Sequence, residues 1–445
     1  MTIDSGWCKT AKTLCRGAFR VERPEVLRAQ PYVVFIDGQI NLMKADWICT
    51  WAEFLRTQFY SKIDAAFASG ARVVVLGFDD YAHVPQAKAP TQRRRSDHVK
   101  ALTFHDKDEL PSQMPHDWNS AMRNRVFKTK VVSLIARNVA ERYKEGAHSL
   151  VLDWVGAPQV HGRAFELPPM LTPEAESGGA LRRGECDVKA FAWMHTGMPL
   201  LIESTDGDFL PMSLLQLARP EAEGAHVVLH RMKTNIEPPK RGTGGRAKRE
   251  YEFVHVNVLF PALVHAMHGS PGADVALTAR VFALLVATTG CDFCMSLPGV
   301  GPSKLWALRN SLSLMPGVAR ERRDELWASR PLEVLLHACI KLYASMHKKH
   351  LPRAHTYQSS PEHDLETLRR TYDAMHEQLT ERAIAPLRLP PWKGERMIAH
   401  LRNTIWTVEY WSTLHEHPDP MTIDEEGVAS YGFARDKGRV VFAGT

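Results

Sequence analysis

A chain of 445 residues is long enough for about two or three domains around a sizeable core, and its 44% hydrophobic and 24% charged residues are those of a folded globular protein rather than a disordered one. Lys and Arg exceed Asp and Glu, 56 against 50, for a formal charge of +6, a mild excess that suits a polyanionic partner without naming one. The 7 cysteines lack framework spacing, which excludes a disulfide-stapled secreted scaffold; with no apolar signal core and no run of ~18 apolar residues, the chain is expected to be intracellular, with no membrane partner.

Residues 1–30 are mixed polar and basic without a clear period and read as an N-terminal extension. The β-branched run Tyr32-Val33-Val34-Phe35-Ile36 predicts a buried strand ending on Asp37-Gly38. Helical patterning from about Leu42 to Phe67 leads to a second apolar run, Arg72 to Phe78, which ends at Asp79-Asp80. Strand, helix, strand implies a parallel βαβ start. From Lys88 to about Lys130 the chain is basic and polar, with Arg93, Arg94 and Arg95 in succession, and reads as solvent-facing. A helix from roughly Asn119 to Tyr143 precedes a third strand at Ser149–Leu152, and a Pro- and Gly-rich loop then reaches Gly184. A helix carrying Glu185, Asp187 and Lys189 leads into the strand Pro199–Ser204, whose tip is Thr205-Asp206-Gly207-Asp208. Residues from about Arg219 to Glu252 read as an insertion. Its basic centre, Lys240 to Arg249, is ranked as a flexible tether ahead of a nuclear-localisation patch or a nucleic-acid contact. Helical pattern from Val275 to Leu314 is broken by a hairpin turn at Leu297–Pro302, and the stretch to about His415 is again helical, with a polar linker near 354–363. Trp392, Trp406, Tyr410 and Trp411 fall there, the last three at near-helical spacing, and read as core ahead of base-stacking residues.

Seven acids, Asp37, Asp79, Glu185, Asp187, Asp206, Asp208 and Asp292, each stand at the end of an apolar run or at a helix start. One Asp after a strand is more often a turn or cap residue, but seven such placements call for a common cause. Ligands of open parallel sheets sit outside the carboxyl ends of the strands, and carboxylates gathered there raise each other's pKa unless cations neutralise them. Oxygen donors without a matching His or Cys set favour Mg²⁺ or Mn²⁺ over zinc, and two such ions ~4 Å apart suit a phosphoryl displacement. Asp80 reads as a turn residue, and strand alternation points Glu203 to the opposite face. Cys291 and Cys294 have zinc-ligand spacing without a second pair and read as buried thiols.

Gly290-Cys291-Asp292-Phe293 followed by Gly299-Val300-Gly301-Pro302, the segment Ser204-Thr205-Asp206-Gly207-Asp208, the helix start Glu185-Cys186-Asp187, and the strand ends Ile36-Asp37-Gly38 and Phe78-Asp79 all have counterparts, in the same order, in one family. They resemble the motifs of the flap endonuclease (XPG-type) structure-specific nucleases over about residues 31–315. The resemblance implies a PIN-like nuclease domain over 31–274, with a central mostly parallel sheet flanked by helices, an arch insertion at about 85–130 and the basic insertion at about 219–252. A helix-hairpin-helix-like element containing the helix-two-turns-helix would follow over 275–330, and a helical C-terminal region over 331–445. It further implies two Mg²⁺ ions, with Mn²⁺ as substitute. Glu185, Asp187 and Asp37 would hold one ion and Asp206, Asp208 and Asp292 the other, with Asp79 a further metal-binding position assigned to neither. Val84 to Arg95 is similar to the family's Pro-x-x-Lys segment, which makes Lys88 and Arg95 the residues that contact the scissile phosphate. Arg93, Arg94, Gly299, Gly301 and Lys304 would bind flanking nucleic acid; in isolation the glycine turn reads equally as a helix connector. Asp187 stands where the family has Glu, Met43 stands where it has an aromatic, and no sliding-clamp motif of the Gln-x-x-Leu-x-x-Phe-Phe type is present. The implied activity is hydrolysis near single-strand/duplex junctions of DNA, as in repair and replication, in the nucleus or another DNA-containing compartment. The alternatives are an RNA endonuclease of the same fold and a non-catalytic binding component of a larger assembly.

Overall fold

The β-branched runs of the sequence become the middle of one eight-stranded sheet. β1 (Phe19–Arg20) lies at one edge, and β2 (Tyr32–Asp37) lies near the centre, parallel to β3 (Ala71–Gly77). β4 (Ser149–Asp153) extends the sheet beyond β3 in parallel, and β5 (Gln159–Gly162) closes that edge antiparallel. On the other side of β2 lie β6 (Leu200–Glu203) and β7 (Val227–Met232), both parallel, and then β8 (Tyr251–His255), which pairs antiparallel with β7 and β1. The order is therefore β1-β8-β7-β6-β2-β3-β4-β5. The computed structural model describes residues 4–43, 50–80, 103–105, 107–172, 185–232, 250–268, 274–291, 294, 296–306, 320–351, 357, 359–381, 393–413, 433–436 and 439–442.

The central strands are apolar on both faces because both faces are covered. Val33, Phe35, Val73 and Val75 belong to one core, while Val34, Ile36, Val74 and Leu76 belong to the other. Beside the short helices Val26–Ala29, Trp51–Leu55 and Trp118–Ala121, the helices in chain order are α1 (Asp4–Leu14), α2 (Gly38–Leu42), α3 (Ser61–Ala68), α4 (Arg125–Tyr143), α5 (Cys186–Ala192), α6 (Phe209–Leu217), α7 (Val256–His268), α8 (Val275–Thr288), α9 (Arg320–Ser329), α10 (Pro331–Met346), α11 (Leu365–Glu381) and α12 (Gly394–Ser412). The second core is sealed by α3 and α4, with Ile63 and Phe67 from the first and Phe127, Val131, Val132, Ile135 and Val139 from the second. Asn124 starts α4 by accepting the Phe127 N–H at 2.9 Å. The first core is sealed by α5 to α8 and, further out, by α10 to α12. α8 is apolar all round because it packs between α6, α12 and α9. Trp406, Tyr410 and Trp411 are core residues of α12, and no helix among the described residues is long and apolar enough to cross a membrane.

Four features differ from the sequence expectation. Residues 4–29 are built into the fold: Trp7 donates its indole N–H to Thr289 Oγ1 at 3.0 Å, Lys12 pairs with Glu252 at 2.6 Å, and β1 forms a sheet edge. The stretch 219–252 is not an insertion throughout, because Val227–Met232 is an inner parallel strand and Tyr251 opens β8; the part between them, 233–249 with Lys240 to Arg249, lies outside the described residues. β5 sits inside the segment read as loop. The C-terminal region carries a hairpin of β9 (Phe433–Asp436) and β10 (Arg439–Phe442) and is not wholly helical.

Candidate active site

Asp37 ends β2 and caps α2, its Oδ1 accepting N–H groups from Gln39 at 2.9 Å and Ile40 at 3.4 Å. The next residue is glycine for a steric reason: a Cβ on Gly38 would come within 2.3 Å of the Phe78 ring and 2.7 Å of the Gly77 carbonyl oxygen. The tips of β2 and β3 can therefore pass at this distance and carry Asp37 and Asp79 to the same end of the sheet. Ser204, just after β6, donates its hydroxyl to Asp37 Oδ2 at 2.9 Å and accepts the Asp206 N–H at 3.0 Å. Asp206 Oδ1 in turn accepts the Asp208 N–H at 3.1 Å. Asp79 accepts the Cys186 N–H at 2.9 Å, which seats the start of α5, with Glu185 and Asp187 on either side of that cysteine, against the tip of β3.

Six of the seven expected acids thus converge through three strand ends and one helix start. Their mutual field shows in Asp37, whose carboxyl is pushed up to about 6, first by burial and then by the Asp79 charge, with Asp206 adding to it; the Ser204 and Ile40 hydrogen bonds act the other way. The Cys186 thiol is pushed well up by burial and by Asp37, Asp79 and Asp187, against the opposing Lys189. Asp37, Glu185 and Asp208 are buried, Asp79 and Asp187 are half-buried, and Asp206 is exposed, so the crevice opens to solvent at the β6 tip. Glu203 pairs in register with Ile36 and shares its face, opposite to the Asp37 side, where it lies 3.4 Å from His230 Nδ1. Asp80 is buried, only 2% exposed.

Lys189 carries a role that its sequence position alone did not reveal. One turn along α5 from Glu185, and 3% exposed, it donates to the carbonyl oxygens of Phe78 at 2.9 Å and Trp154 at 2.6 Å and lies 3.9 Å from Asp153 Oδ1. Asp153, fully buried at the end of β4, accepts the Trp193 indole N–H at 3.2 Å on its other oxygen. One ammonium thus fastens the ends of β3 and β4 to the helix that brings Glu185 and Asp187. Lys189→Met is expected to destabilise the fold by about 3–5 kcal/mol, because it leaves the Asp153 carboxylate buried without this cation. Adding Asp153→Asn should recover part of that loss in urea unfolding, and an unchanged midpoint in the single variant would show that the ammonium is dispensable.

The donor set is oxygen throughout, as hard divalent cations require. Among the described residues no group of three or more His, Cys, Asp or Glu side chains is placed to hold a metal ion. Mg²⁺ keeps several waters and needs only one or two carboxylates directly, so an open acidic crevice whose Asp37 is under electrostatic load fits it. Asp292, Lys88, Arg93, Arg94 and Arg95 lie outside the described residues. The hairpin turn after α8 has Gly299 at φ +72, a left-handed position, while a Cβ on Gly301 would meet nothing within 4 Å. Lys304 donates to the Gly299 carbonyl oxygen at 2.7 Å and so closes the turn, and Tyr343 of α10 donates to the Pro298 oxygen at 3.2 Å. The hydrogen bonds of this turn run to α8 and α10, and among the described residues none of them reaches the carboxylates. Cys291 and Cys294 form no disulfide and place their sulfur atoms 3.2 Å apart; the second is buried and the first half-buried.

No family model matches the chain, and no curated protein matches its sequence. Among solved structures it is similar to the catalytic core of Rad2 in complex with a DNA substrate, at 13% identity and a TM-score of 0.35, over 83% of this chain and 96% of that one.

Proposed function

We propose that the protein is a divalent-metal-dependent nuclease that hydrolyses phosphodiester bonds near single-strand/duplex junctions of DNA. The observation that carries this reading is the state of Asp37: a buried carboxyl raised to about 6 with Asp79 and Asp206 as its nearest charged influences. Gathering carboxylates from three strand ends costs stability unless something positive enters among them. In this reading Asp37, Asp79, Glu185, Asp187, Asp206 and Asp208, with Asp292, hold two Mg²⁺ ions. Such a pair, when bound, supplies Lewis acidity to a phosphate oxygen and lowers the pKa of water. The chain's own contribution is preorganisation: the Ser204 hydroxyl fixes the orientation of Asp37, the Cys186 amide fixes Asp79, and Lys189 ties the ends of β3 and β4 to the helix that carries Glu185 and Asp187. Lys88 and Arg95 are assigned to neutralise the scissile phosphate, with Arg93, Arg94, Gly299, Gly301 and Lys304 holding flanking backbone.

Chelation tests the reading. Cleavage of flap DNA is expected to disappear in EDTA and return with Mg²⁺ or Mn²⁺, and to exceed cleavage of nicked duplex, single-stranded DNA and structured RNA. Undiminished activity in chelator would remove the metal; preference for RNA would correct the substrate.

A further inference from the structure

At the end of the sheet opposite the carboxylates, where β3 and β4 begin, lies a polar cavity of about 120 Å³ lined by Arg72, Ala147, His148, Ser149, Arg163 and Ala164. The strand register explains the grouping. Val73 pairs with Ser149 and Ser149 with Gly162, so Arg72, Ser149 and Arg163 are neighbours across three adjacent strands. The wall is firmly set: the His148 ring stacks on Phe67 at 4.5 Å, and its carbonyl oxygen accepts the Arg163 N–H at 3.0 Å. β3 is seven residues long, which at about 3.3 Å per residue puts the cavity roughly 20 Å from the acidic crevice.

Three polar groups border the cavity. The Arg72 and Arg163 side chains are exposed, and neither meets a carboxylate among the described residues. Ser149 is 3% exposed and lines the cavity, and among the described residues its hydroxyl has no hydrogen-bond partner. A hydroxyl facing the cavity can donate to a bound oxyanion, and two guanidinium groups bordering one cavity favour an anion between them. Their planar forks match tetrahedral oxyanions in two-pronged fashion. The volume is several times the roughly 10–15 Å³ that one water needs, enough for such an anion.

We propose that this cavity is a phosphate-binding site in which Arg72 and Arg163 supply the charge and Ser149 donates its hydroxyl. The site stands independently of the nuclease reading, since none of its residues belongs to the acidic crevice. Free orthophosphate, a nucleotide and a nucleic-acid backbone all present this oxyanion, and the test separates them. Full-length protein in EDTA, at ionic strength held constant with NaCl, is titrated calorimetrically with orthophosphate, with a nucleoside triphosphate and with a single-stranded oligonucleotide lacking terminal phosphates. The comparison is made with Arg72→Ser/Arg163→Ser and with Ser149→Ala, each checked for folding by thermal melting. Affinity for at least one ligand is expected to fall tenfold or more in the double variant and about threefold in Ser149→Ala. A parallel loss with the oligonucleotide identifies a nucleic-acid backbone as the occupant; a loss confined to orthophosphate or the triphosphate identifies a small phosphate ligand. Should the double variant melt, Arg72→Ser alone, on an exposed side chain, takes its place. Equal affinities in wild type and variants for all three ligands, or no binding by the wild type, would overturn the proposal.

Discussion

Asp206→Asn is expected to lower single-turnover cleavage by roughly a hundredfold or more, which corresponds to about 2.7 kcal/mol of transition-state stabilisation. The substitution is conservative in shape. Asn keeps an oxygen for the Asp208 N–H, and the Asp206 amide still reaches Ser204, so the start of α6 should persist. What changes is charge. The exposed carboxylate at the mouth of the crevice is also one of the two that act on Asp37, so its loss weakens cation binding and leaves less negative potential facing a phosphate backbone. Nucleic-acid affinity in EDTA is therefore expected to hold or rise while cleavage collapses, the opposite of what loss of a binding residue would give. Glu203→Gln is the control, three residues away but on the other face beside His230, and its cleavage should stay within about twofold of wild type. If the control lost cleavage while Asp206→Asn kept it, the acids at this strand end would have been assigned to the wrong face.

That assignment was legible in the sequence because strand periodicity is a strong local signal and acids at strand tips interrupt it visibly. Tyr32 to Ile36, Arg72 to Phe78 and Pro199 to Ser204 are largely apolar runs too short for helices, the first two rich in β-branched residues, and each ends on Asp or on a turn carrying two. Fold class followed from the same alternation of strands and helices, and the sheet bears it out. What stayed hidden depends on contacts distant in sequence. Ser204 looks like any polar residue after a strand until the parallel pairing of β2 and β6 places its hydroxyl on Asp37, 167 positions away. The sequence places Lys189 on the helix of Glu185 and Asp187 but not its contacts, because its partners, Phe78 and Trp154, follow strands and lie 111 and 35 positions off. Trp7 and Lys12 lie in a stretch whose period is short: Trp7, Cys8 and Ala11 make a buried face on the three turns of α1, and its anchors Thr289 and Glu252 lie 282 and 240 positions away. β5, only four residues long, offers too little alternation to stand out from the surrounding turns.

The charge trapped on Asp37 should be measurable without any substrate. In the metal-free folded protein this carboxyl titrates at about 6, against an ordinary value of 3.8. Between those two pH values the folded state holds a proton that the unfolded chain has released, so stability falls as pH rises through this window. The contribution is fully present below 3.8 and is lost once pH passes 6. At about 1.36 kcal/mol per pH unit, the gap amounts to about 3 kcal/mol of destabilisation at neutral pH. Asp37→Asn carries no charge at any pH. It can still accept the Gln39 N–H on its oxygen, although the Ser204 hydroxyl must now turn toward an amide group, which offsets part of the gain. In EDTA the variant is therefore expected to unfold at higher urea than wild type near pH 7.5, by up to about 3 kcal/mol, with the difference closing near pH 4. Adding Mg²⁺ should stabilise wild type and leave the variant nearly unmoved, because a ligand stabilises only the state that binds it and the variant has lost one of the carboxylates that would bind the cation. A variant less stable than wild type by the same amount at both pH values would mean that Asp37 serves the fold as a helix cap and stores no electrostatic strain for a cation to relieve.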